Sequence, residues 1–97
     1  MGDGEPGSSG LERMRNLGPA SAARLQAVGI ESPEGLRMVG SMEAYARLRR
    51  AFPDETTEVS LYALHGALVD SAWEDLPEAT RIALRDAAAH LVGPTNA

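Results

Sequence analysis

Asn16-Leu17-Gly18-Pro19-Ala20-Ser21-Ala22-Ala23-Arg24-Leu25 is followed by Val28-Gly29-Ile30-Glu31-Ser32-Pro33-Glu34-Gly35-Leu36. The punctuation in this stretch decides the fold class. Asn16-Leu17-Gly18 reads as a tight turn, and Pro19 suits the first position of a helix, where a missing N–H costs nothing. Ala22, Leu25 and Val28 recur at three-residue spacing. Gly29 ends that helix because it can take a positive φ. Ser32-Pro33 then starts another, with serine as N-cap and proline at N1.

The same grammar continues outward. A short helical segment precedes the turn, over about Leu11 to Arg15. After Ser32, Leu36 and Val39 form an apolar stripe, and Gly40 is expected to stop the helix. Ser41 can cap the next, where Met42, Tyr45, Leu48 and Phe52 repeat at helical spacing opposite Glu43, Arg47 and Arg50. Pro53-Asp54-Glu55 breaks the pattern. From about Val59 to Val69, Leu61, Leu64 and Leu68 share one face. The last helix is expected near Asp75-Leu76-Pro77-Glu78, with Asp75 and Glu78 spaced as a capping box and Pro77 near N1. Leu84, Ala88 and Leu91 mark its inward stripe. No segment alternates as a strand would, so the expectation is an all-α domain of five to six helices over residues 11–92. Residues 1–10, rich in glycine and serine, and residues 93–97, opened by Gly93-Pro94, are expected as disordered tails.

Composition narrows the function classes. The 97 residues carry nine basic groups, all arginine, against 14 acidic ones, a net charge of −5. That balance argues against a protein that holds nucleic acid by bulk charge. With no cysteine there is no disulfide, thiolate nucleophile or zinc ribbon. No apolar run approaches a membrane span and no signal-peptide pattern opens the chain, so a cytoplasmic location is expected. With only four aromatic residues, Tyr45, Phe52, Tyr62 and Trp73, alanine and leucine must supply most of the core.

No catalytic, cofactor-binding or metal-binding set emerges. Asp86 and His90 are spaced i,i+4 and read as a surface pair near a helix C-terminus. His65 reads as a half-buried, hydrogen-bonded histidine, and the serines at helix starts read as caps. Tyr45, Tyr62 and Trp73 are expected in the core. Gly66 in mid-helix costs ~1 kcal/mol relative to alanine. Its expected role is to admit another helix or Trp73.

The x-Leu-Gly-Pro turn opening a helix resembles the hairpin of helix-hairpin-helix modules. The Gly29-Ile30-x-Ser32-x-x-x-Leu36 continuation resembles the C-terminal domain of the bacterial RNA polymerase alpha subunit. The resemblance sharpens with Leu61-Tyr62-Ala63-Leu64-His65-Gly66-Ala67-Leu68, Trp73 and Leu76-Pro77-Glu78. Together with Asn16-Leu17-Gly18-Pro19, Val28-Gly29-Ile30, Leu36 and Ala44-Tyr45, these look like the C-terminal domain of the TfoX/Sxy family, over roughly Leu11 to Leu91. The landmark residues are then Gly29, Tyr45, Tyr62, Gly66, Trp73 and Pro77. The resemblance implies a stand-alone all-helical module with a helix-hairpin-helix-like N-terminal half. It also implies a bacterial protein without enzymatic activity, acting in competence or transcription regulation through protein partners.

The alternative is a DNA-phosphate-binding hairpin. Its candidate contacts are the amides of Leu17 and Gly18, with Arg15, Arg24, Arg49 and Arg50 around them, because free amides at a helix N-terminus favour an anion. Asn16 stands where DNA-binding hairpins usually have a first glycine, although asparagine tolerates the left-handed region. Charge distribution keeps this alternative in play. Residues 11–50 carry seven arginines and four acids, giving +3, whereas residues 51–97 carry two arginines and eight acids, giving −6. Two faces of opposite sign suit a protein partner, or a second copy of the chain in a homodimer.

Overall fold

The structure is a computed structural model that describes residues 10–92, with side chains as far as His90. The expected terminal segments therefore lie outside the described residues, apart from Gly10, as does the side chain of Leu91. Four α-helices follow one another: α1 (Pro19–Ala27), α2 (Pro33–Ala51), α3 (Glu58–Val69) and α4 (Glu78–Val92). Two single 3₁₀ turns, Leu11–Arg13 and Trp73–Asp75, precede α1 and α4. No strand occurs among the described residues. The all-α expectation holds.

The count of five to six helices is corrected to four. The segment at Leu11 is only a 3₁₀ turn, closed by Arg13 N–H on Gly10 O at 3.1 Å and Met14 N–H on Leu11 O at 3.0 Å. Residues 33–51 form one run of two helical halves that meet at a kink. The break falls at Gly40, where a helix end was expected: it leaves the helical region for a single residue (φ 86°, ψ 160°). That combination of angles is essentially restricted to glycine. The second half resumes at Ser41 without an intervening loop.

Local starts and stops otherwise follow the sequence closely. Ser32 caps α2, its Oγ accepting from Gly35 N–H at 3.0 Å. Pro19 and Pro33 open their helices, and Gly29 follows α1 with φ 90°. One start is corrected. Trp73–Asp75 winds into a 3₁₀ turn, so Asp75 is not the N-cap of α4. The first α4 bond runs instead from Arg81 N–H to Pro77 O at 3.1 Å. The capping-box arrangement lies at α3, where Thr57 N–H donates to Ser60 Oγ at 3.1 Å. A serine stands there in the place usually held by glutamate.

The core gathers the apolar faces of all four helices. Leu11, Leu25, Ile30, Leu36 and Leu61 are its most completely buried large side chains. α2 packs against both α3 and α4, and α1 lies against the Leu11 turn. Tyr45 and Tyr62 are buried as expected. Trp73 is not: it is half-buried at the edge of the core, stacked on Tyr62 with ring centroids 6.0 Å apart. The 3₁₀ turn that carries it runs over the surface, which explains why the ring covers the core rather than filling it.

Candidate functional site

Asn16 is the centre of the densest long-range polar contact. Its backbone sits in the left-handed region at φ 71°. Its Nδ2 donates to Ser71 O at 2.9 Å and Ala63 O at 3.3 Å, while its Oδ1 accepts from Trp73 N–H at 3.0 Å. One side chain thus ties the turn before α1 to the end of α3 and to the loop carrying Trp73. The close neighbour of Gly66 is this same amide. A Cβ on Gly66 would collide with Asn16 Nδ2 and would lie 2.5 Å from Ser71 O. The expectation that Gly66 admits a helix or Trp73 is therefore corrected: it admits the Asn16 amide and the Ser71 carbonyl.

The hairpin residues have mixed roles. Leu17 N–H is already engaged, donating to Met14 O at 3.1 Å. Gly18 is the N-cap of α1 in extended backbone (φ −135°, ψ −169°), its carbonyl accepting from Ala22 N–H at 2.9 Å. A Cβ there would meet open space. The segment ahead of the hairpin is a single 3₁₀ turn, so no paired helix stands on that side. The helix-hairpin-helix-like half is not confirmed in this geometry.

The four candidate arginines differ in their surroundings. Arg24 lines a small cavity of about 40 Å³ with Leu17, Ser21, Thr56 and Ser60, and the carboxylate-bearing Glu55 lines it too. Arg49 Nη1 donates to Pro53 O at 3.3 Å and Thr56 O at 3.2 Å, closing the loop between α2 and α3. Thr56 is buried, and its hydroxyl donates toward Leu48 O and Phe52 O. Arg15 and Arg50 are exposed. Arg47, which the sequence placed only on the charged face beside Glu43, donates its Nη1 to Val28 O at 3.1 Å while its Nε pairs with Glu43 at 2.9 Å. A cation on the last carbonyls of α1 is favoured by the helix dipole.

A wider groove of about 170 Å³ opens on α2, α3 and α4. Tyr45, Leu61 and Ala88 give it an apolar floor, and Glu58, Arg85 and Ala89 complete its lining. Arg85 Nη1 donates to Tyr62 Oη at 2.9 Å. That contact with Tyr62 is the main cause holding the guanidinium above its ordinary pKa, with the charges of Glu58 and Asp86 adding less. Of its lining the sequence marked only Tyr45, Leu61 and Ala88, as core positions; the groove is a product of packing.

The histidines are peripheral. His90 Nδ1 bonds the Asp86 backbone carbonyl at 2.8 Å, so the i,i+4 contact does not involve the carboxylate. His65 is half-buried, with no hydrogen-bond partner among the described residues. No group of three or more potential metal ligands occurs among the described residues. No helix among them is long and apolar enough to cross a membrane.

The architecture is thus a small all-helical domain locked by an asparagine between its N-terminal turn and the end of α3. The chain belongs to the TfoX C-terminal domain family, whose model matches residues 7–88. Two solved structures from Listeria monocytogenes are similar. An uncharacterized protein in a triclinic form superposes with a TM-score of 0.78 at 34% identity, covering 86% of this chain and 93% of that one. A protein of unknown function in a tetragonal form gives 0.74 at 34% identity, covering 78% and 93%. No curated protein matches.

Proposed function

We propose that the chain is a non-enzymatic interaction module that acts in regulation, in the manner the TfoX family suggests for transcription or competence, by docking on a protein partner. The observation that supports this most is the groove on α2, α3 and α4, with its apolar floor and the opposite charges of Glu58 and Arg85 in its lining. Such a shallow, mixed surface suits one inserted apolar side chain ringed by polar contacts. By contrast, the side chains of Asn16, Thr56 and Arg47 are engaged by backbone partners and hold the fold together. The test is capture of partners from a native bacterial lysate with and without nuclease, comparing the chain with Glu58→Arg, an exposed position of the groove lining, with circular dichroism confirming the fold. A nuclease-resistant partner lost with Glu58→Arg supports the reading. A partner set unchanged by that substitution contradicts it.

DNA-phosphate binding is the second reading, favoured by the open backbone at Gly18 and the +3 charge of residues 11–50. Glu55 weighs against it, because it lines the cavity shared with Leu17, Ser21 and Arg24. Anisotropy titration with duplex DNA at about 50 mM salt decides it, since phosphate contacts are strongest at low salt. Binding that fades with salt and with Arg24→Ala supports this reading, and no binding at that salt removes it.

A further inference from the structure

Most surface helices oppose an apolar inner stripe with a charged outer one. α4 keeps this pattern but mixes small apolar residues among the charges of its outer side. Leu84 and Ala88 face the core, yet the outer side also carries Ala79, Ala83 and Ala89, all exposed, and Ile82, which is 42% exposed. Small residues let another backbone approach closely, and Ile82 stands among them as a knob. The charges beside it are ordered. Glu78, Ile82, Arg85 and Ala89 follow the i, i+4, i+7, i+11 spacing of a single stripe, with an acid at one end and an arginine two turns on.

We propose that two copies of the chain associate through this face of α4, antiparallel and related by a two-fold axis beside Ile82. Turning the helix end for end about the midpoint of 78 and 85 exchanges those two positions. Glu78 of one copy then meets Arg85 of the other, twice, and the two Ile82 side chains pack together at the centre. Arg85 is prepared for this, because Tyr62 Oη already fixes one of its nitrogens while no carboxylate of the described residues lies within ion-pair distance. Glu78 likewise has no ion-pair partner among the described residues. The arrangement also sets the two helix dipoles antiparallel and brings Asp86 of each copy toward the α4 N-terminus of the other, where an acid is favoured. A two-fold contact closes on itself and leaves no face for further growth. One helix per copy makes a small interface, so the dimer forms in a concentration-dependent way.

Sedimentation velocity over a dilution series tests the dimer. The chain should pass from the mass of one copy to that of two as concentration rises. Ile82→Glu should stay monomeric, with Ala83→Arg as a second block on the same face, and circular dichroism confirms that each variant is folded. Glu78→Arg and Arg85→Glu should each weaken association at least ~10-fold. Mixed in equal amounts they should restore it, because each then meets its opposite charge. A chain monomeric at every concentration overturns the proposal. So does a dimer indifferent to Ile82→Glu, or a mixture no better than its components.

Discussion

Two glycines stand inside helical stretches for opposite reasons. Gly66 lies in α3, and its surroundings leave no room for a side chain, because Asn16 Nδ2 and Ser71 O occupy the space. A Cβ on Gly40 in α2 would meet open space, and its backbone alone, at φ 86° and ψ 160°, demands glycine. The first marks a junction where segments distant in sequence meet. The second marks a bend within one helix. A glycine in a helix is thus a single sequence signal with two structural meanings, and only the neighbours tell them apart.

Substitutions can break this contrast, and the largest effect belongs to the junction. Asn16→Ala removes bonds to Ala63 O, Ser71 O and Trp73 N–H and places alanine in the left-handed region. It should cost roughly 2–4 kcal/mol in urea unfolding. Asn16→Gly sharpens the point: it restores backbone freedom without the amide and should recover only the smaller part of that loss. Gly66→Ala follows, at roughly 1–3 kcal/mol, because neither the amide nor the carbonyl can retreat without losing a bond. Gly40→Ala should cost roughly 1–2 kcal/mol, because its φ and ψ strain any side chain although the Cβ itself meets open space. Gly18→Ala is the smallest, within about 0.5 kcal/mol, because its extended φ of −135° suits any residue and its Cβ points into space. A loss at Gly18 as large as that at Gly66 would dissolve the contrast. Thermal unfolding followed by circular dichroism ranks all five variants on one scale.

How far the sequence speaks follows the same division. Features set within a few residues were legible: Pro19 and Pro33 opening helices, Ser32 capping α2, Gly29 taking φ 90°. The left-handed tolerance of asparagine was legible too, and Asn16 uses it. Its three partners lie 47 to 57 residues away, and no local pattern announces them. The same holds for Arg47 reaching Val28 O across 19 residues. Asp75 shows the converse failure. Its spacing to Glu78 matched a capping box, but the Trp73–Asp75 turn, held under the Asn16 amide, fixed the local winding first. The groove of Tyr45, Leu61 and Ala88 was illegible for the same reason, since it exists only once α2, α3 and α4 have packed.

If Asn16 and Gly66 form one junction, their effects must be coupled. The direct measurement is a double-mutant cycle of Asn16→Ala and Gly66→Ala by urea denaturation. Removing the amide vacates part of the space that the Gly66 methyl needs, so the double variant should lose less than the sum of the singles, by at least ~0.5 kcal/mol. Additivity within about 0.3 kcal/mol would contradict the account, because the two residues would then be acting as independent sites.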